Sequence, residues 1–120
     1  MHSVCETHAF RRAAKAAGMS EEEIAELVNH LANNPDEGVV IPGTGGCRKL
    51  RWAAPGRGKR GGYRSITFFS GDDLPVFLIT VFGKGERSDL SKQEQNALAA
   101  MTKDIVTGYA NRVSRMDAKR

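Results

Sequence analysis

The chain is poor in the residues from which metal centres, disulfide frameworks and familiar hydrolytic sites are made. Its two cysteines, Cys5 and Cys47, stand 42 positions apart. That spacing suits no metal motif, and two thiols in a reduced, cytosolic chain are expected to be small buried side chains. The three histidines, His2, His8 and His30, form no HxH or HxxxH set, so neither a metal nor any other cofactor is expected. No Ser/His/Asp arrangement has a recognisable spacing, and no histidine pair suits a two-histidine ribonuclease. No window approaches roughly 18 consecutive apolar residues, which excludes a membrane-spanning helix. The opening "MHSVCETHAF" has no basic region followed by an apolar core. No secretory signal is therefore expected, and the location read from the sequence is cytoplasmic.

The most informative absence is of acid. Residues 38–71 contain no Asp or Glu but seven Lys/Arg, whereas residues 1–37 carry three basic and seven acidic residues. Residues 72–120 are nearly balanced, with eight basic and seven acidic residues. The net charge of +4 therefore hides a concentrated positive region, whose simplest partner is a polyanion.

With 120 residues, the chain is expected to be one domain, 1–120, able to bury a core without staples. Around Gly18 two helices are predicted to form a hairpin. "FRRAAKAAGM" ends at Gly18, a left-handed cap. "SEEEIAELVNHLANNP" opens on a capping box of Ser20 and Glu23, repeats Ile24, Leu27, Val28 and Leu31 on one face, and stops at Asn33-Asn34-Pro35. Glycine and β-formers follow. "CRKLRWA", "YRSITFF" and "PVFLITVFG" read as three strands, the last apolar enough for a central position covered on both faces. The glycine-rich "APGRGKRGG" between the first two is an exposed hairpin loop, making residues 37–71 a basic strand–loop–strand region. "SKQEQNALAAMTKDIVTGYANRV", residues 91–113, is a C-terminal helix with a second capping box, Ser91 with Glu94, and an apolar face of Leu98, Met101, Ile105, Tyr109 and Val113. A short strand at His2–Thr7 completes the order (β)-α-α-β-β-β-α. The class is α+β, a small antiparallel sheet with helices packed on it.

Within the basic region, "GRGKRG" at 56–61 matches GxGxxG. A dinucleotide site needs a strand before the glycines and a helix after them; here Pro55 precedes and a strand follows, so the match is set aside. The Walker pattern is absent, and "IPGTGG" at 41–46 reads as a turn. The basic residues are either a solvated surface hairpin or a phosphate-binding patch. Strand alternation separates Arg48 and Leu50 from Lys49 and Arg51. Lys49 and Arg51 could then converge with Arg64, with Arg57, Lys59 and Arg60 in the loop above. Trp52 and Tyr63 offer surface either for stacking unpaired bases or for packing in the sheet. "FGKGERSDLS" brings Lys84 and Arg87 to a strand end; Arg87 is open to a salt-bridge or helix-start role as well.

In that order and spacing, "RKLRWAAPGRGKRGGYRSITFF" and "VFLITVFGKGERSDLSKQE" resemble the RelE/ParE superfamily of bacterial toxins, in particular the RelE-type subgroup that includes some HigB proteins. The resemblance runs over nearly the whole chain. It implies a RelE-like fold and endoribonuclease cleavage of messenger RNA, usually in the ribosomal A site of a bacterial cytoplasm. The partners it implies are messenger RNA, the ribosome and a cognate antitoxin of helix-turn-helix type, with DNA reached only indirectly through the antitoxin complex. Carried over by position, it assigns catalytic roles to Arg64, Lys49 and Lys84, and RNA contacts to Arg48, Arg51, Arg57, Lys59, Arg60 and Arg87. The chain departs from the family in two places. Some relatives carry an arginine where Gly85 stands, and many carry a tyrosine where this chain has Ser91, so proton transfer by that tyrosine is unavailable here. A gyrase-inhibiting toxin of the ParE type and an inactive antitoxin-binding relative are the alternatives.

Overall fold

Both predicted helix starts carry the expected reciprocal caps. In the computed structural model, which describes residues 2–52, 62–71, 74–83 and 90–118 (α3 as backbone alone beyond residue 108), the Ser20 hydroxyl accepts from the Glu23 amide at 3.1 Å. The Glu23 carboxylate accepts from the Ser20 amide at 2.9 Å. Ser91 and Glu94 repeat the exchange at 3.1 and 2.9 Å. Each box satisfies two amides that the first helical turn leaves without partners. The elements run β1 (Val4–Glu6), α1 (His8–Ala16), α2 (Glu21–Asn33), β2 (Val39–Val40), β3 (Cys47–Trp52), β4 (Tyr63–Phe68), β5 (Val76–Phe82) and α3 (Lys92–Ala118).

Gly18 joins the hairpin as expected. Its φ of 80° lets the Gly18 amide donate to Lys15 O and the Met19 amide to Ala14 O, at 3.1 and 2.9 Å, the paired bonds of a Schellman stop. The hairpin lays Phe10, Ala14, Ile24, Leu27 and Leu31 on one face of the sheet, against Leu50, Tyr63, Leu78 and Val81. Leu27 and Phe10 are wholly buried, and truncating such a side chain to alanine typically costs about 2–5 kcal/mol.

The sheet order is β1-β5-β4-β3-β2. The predicted strands pair antiparallel in chain order, while β1 pairs with β5 in parallel, Cys5 opposite Phe77. β5 is interior, as its apolar run requires, but β4 holds the middle. A strand absent from the sequence reading, β2, adds the far edge by pairing with Lys49 and Arg48 of β3. On the face opposite the hairpin, Cys47, Ile66, Phe68 and Ile79 pack with Leu98 of α3.

Two packing expectations are corrected. The third helix presents Leu98, Thr102 and Ile105 to the sheet in place of the predicted Met101, which is 38% exposed. Thr102 is 3% exposed because its hydroxyl donates to the buried Thr44 carbonyl at 3.1 Å, pinning the glycine-rich turn at 41–46 beneath α3. Only one of the two thiols is buried: Cys5 is exposed on β1 and Cys47 is enclosed. Burial pushes the Cys47 thiol up, with a hydrogen bond to Thr44 acting in the opposite direction.

Two measurements follow from this packing. Gly45 has φ +77°, and a Cβ there would run into the Thr102 hydroxyl. Gly45→Ala is therefore expected to lower unfolding stability by about 1–3 kcal/mol, whereas Gly108→Ala, in open space on α3, raises it by about 0.5–1 kcal/mol; urea titration compares them. Iodoacetamide is expected to alkylate Cys5 in the native protein and Cys47 only in step with unfolding, read by peptide mass spectrometry.

Candidate nucleic-acid interface

The register of β3 and β4 sets the geometry of the basic region. Arg51 lies directly opposite Arg64, and Lys49 opposite Ile66. Side chains of paired residues emerge on the same face with Cβ atoms about 5 Å apart, so Lys49, Arg51 and Arg64 share one face. It is the face that α3 covers farther along, at Cys47 and Phe68. Beyond the helix it is open: Arg51 is exposed, and Lys49 and Arg64 are partly so.

A bulge decides what flanks Arg64. Ile66 pairs with Thr80 but Thr67 with Leu78, so β5 carries one extra residue there. Bulges of this kind re-aim the side chains that follow. Without it, Val81 would stand beside Arg64. With it, Val81 pairs with Ser65 and enters the helical-hairpin core, while Phe82 pairs with Arg64 and joins the α3 side. Gly83 follows, and the next residue in the sequence is Lys84.

The arginines differ in how their charge is met. Arg11 is clamped by Glu6 and Glu21 at 2.9 and 2.8 Å, and its hydrogen bonds to Glu21 and then Glu6 hold its pKa above the ordinary value. Arg48 projects to the other face of β3 and donates to the Asp36 carbonyl at 2.9 Å, bracing the turn between α2 and β2. Arg51 and Arg64 have no such partner: among the described residues no carboxylate pairs with either. Two like charges directly across a ladder repel, and among the described residues no carboxylate offsets the repulsion, which a bound anion would relieve.

The structure thus brings together Lys49, Arg51 and Arg64 and separates Arg48 from them. Lys84, Arg57, Lys59, Arg60 and Arg87 lie outside the described residues. The stacking option for the aromatics fails on this face. Tyr63 is 3% exposed within the hairpin core, its hydroxyl 3.4 Å from Glu23 Oε1. Trp52 packs against the same core, with the His30 ring 4.8 Å away. Sequence reasoning also missed a cleft beside Lys49, lined by Val39, Val40, Ile41, Pro42, Leu90 and Gln95. Its only sequence signal was the β-branched pair Val39-Val40 between Gly38 and Pro42. Among the described residues no cluster of three or more His, Cys, Asp or Glu could hold a metal ion, and no helix is long and apolar enough to cross a membrane.

The family "RelE toxin of RelE / RelB toxin-antitoxin system" matches residues 2–120. The chain belongs to the RelE toxin family. Its RelE fold is also seen in a solved structure of E. coli toxin RelE, a double arginine-to-alanine mutant in the free state. That structure superposes with a TM-score of 0.51 at 20% identity, covering 84% of this chain and 96% of the other. A RelE toxin belongs to a toxin–antitoxin system, so an antitoxin is the family's partner class.

The like-charged pair has a measurable cost. Arg51→Thr is expected to raise unfolding stability by about 0.2–1 kcal/mol, and the gain should shrink in 1 M salt, where the repulsion is already screened; denaturant titration at low and high ionic strength tests this.

Proposed function

We propose that this RelE toxin is an endoribonuclease that cleaves messenger RNA on the ribosome and so arrests translation. The observation that carries the reading is the cross-strand pair Arg51–Arg64, unmatched by any described carboxylate, with Lys49 on the same face. A phosphodiester in flight gathers negative charge on its non-bridging oxygens, and fixed cations that need no reorganisation lower that barrier most. A guanidinium adds a planar fork matched to phosphate oxygens.

In this mechanism the RNA supplies its own nucleophile. The 2′-oxygen attacks the adjacent phosphorus as its proton is taken up by a base. The P–O5′ bond breaks, and the 5′-oxygen takes a proton, leaving a 2′,3′-cyclic phosphate and a 5′-hydroxyl. Arg64 stabilises the charge on the phosphoryl oxygens. Lys49 and Lys84 hold the backbone so that the attacking and leaving oxygens lie in line, an alignment that can account for a large part of the rate. Arg51, with Arg57, Lys59, Arg60 and Arg87, grips flanking phosphates. Arg48, bound to the Asp36 carbonyl, acts by bracing β3. With Ser91 where many relatives have a tyrosine, acid–base catalysis falls to another group or to the ribosomal substrate, and positioning carries more of the rate. The antitoxin, a helix-turn-helix protein that binds DNA, silences the toxin.

Arg64→Ala is expected to lower message cleavage by at least 100-fold, in line with loss of one oxyanion-stabilising donor, and to abolish growth arrest. Its melting temperature should not fall, because the variant also relieves the Arg51–Arg64 repulsion, and antitoxin binding should stay at the wild-type value. Primer extension on messages from induced cells measures cleavage; full cleavage by the variant removes Arg64 from the site, and growth arrest without any message cleavage by the wild type rejects the nuclease reading.

A further inference from the structure

At the sheet edge next to Lys49, packing leaves apolar surface unexplained. Val39 is 71% exposed and Val40 49% exposed on a strand of two residues, a placement that proteins usually avoid at an open edge. Both valines line a cleft of about 310 Å³ together with Ile41, Pro42 and Leu90. Two polar side chains enter it, Lys49 and Gln95. Val39 is the direct ladder partner of Lys49, so the Val39 side chain and the ammonium group stand side by side on the face that also carries Arg51 and Arg64. Gln95 comes from the first turn of α3, with its Oε1 end close to Gly43. Among the described residues nothing hydrogen-bonds its amide.

We propose that this cleft is a nucleobase pocket, which receives the base next to the phosphate gripped on the Lys49–Arg51–Arg64 face; the proposal rests on the ribonuclease reading. A base is flat and apolar on its two faces and polar only along its edge. The cleft has the matching distribution: aliphatic walls for the faces, and one carboxamide that both donates and accepts for the edge. Spacing agrees as well. Lys49 and Arg51 are two residues apart, about 7 Å along the strand, comparable with one nucleotide step of an extended strand. An apolar side chain of a protein partner is a poorer occupant. It would strip water from the Gln95 amide and replace none of its hydrogen bonds.

The test uses short messages positioned on ribosomes, with all four bases and an abasic residue placed in turn on either side of the cleaved phosphate. The wild type is expected to discriminate among bases at one of those two positions and to lose cleavage on the abasic message there. Gln95→Ala should compress that discrimination by roughly tenfold while cleaving the abasic message as well as the wild type does. Gln95→Glu, which keeps the shape but removes the donor, should change the order of preferred bases. The pocket is overturned if both variants keep the wild-type base order within twofold while Arg64→Ala still abolishes cleavage. It is overturned too if Gln95→Ala weakens antitoxin binding and leaves base preference intact. Absence of cleavage by the wild type itself would sink the underlying ribonuclease reading, and the pocket with it.

Discussion

Everything distinctive about this toxin depends on the pairing of β3 with β4, which sets Arg51 across from Arg64. The pairing is not negotiable in small steps. A slip of one residue in β3 would turn Leu50 outward and bring Lys49 and Arg51 into the apolar core, away from Arg64. The burial of Leu50, Tyr63 and Ser65 on the hairpin side therefore fixes the location of the cations on the other. Core formation and charge placement are two sides of one ladder, and the hydrophobic free energy of the first offsets the electrostatic cost of the second.

Elsewhere in the chain, positive charge is dealt with locally. The Arg11 clamp ties β1, α1 and α2 together through two carboxylates, and Arg48 closes a backbone turn. Both are exposed or edge contacts, whose net contribution to stability is small. The open face differs in kind because, among the described residues, no carboxylate pairs with its guanidinium groups. Cations left facing one another across a ladder, with no described carboxylate between them, are best understood through what they bind.

Much of this arrangement could be read from local pattern. The helices were legible because their caps and apolar spacings are written within a few residues, and the face alternation of β3 followed from its period of two. Features that depend on distant partners were not. β1 is three residues long and exists only because β5 offers it a ladder; β2 is shorter still. Alternation already put Arg48 and Lys49 on opposite faces, but the turn at Asp36 that gives Arg48 its separate task could not be read locally. Met101 outranks Thr102 in hydrophobicity, yet the Thr44 carbonyl selects the residue that can donate a hydrogen bond. Burial of Tyr63 was equally hidden, since its ring is claimed by a hairpin some 40 residues upstream.

The bulge in β5 gives the strand a change of phase. Upstream of it, odd-numbered residues such as Phe77 and Ile79 face α3; downstream, the even-numbered Phe82 does. Loss of Ile79 would leave a regular ladder in which Val81 still meets Ser65 and Phe82 still meets Arg64, at the cost of one buried side chain beneath α3. A one-residue difference in length is absorbed at this point, whereas the same change elsewhere in β5 would turn every following side chain to the other face, so homologues of unequal β5 length should be aligned with the gap at the bulge.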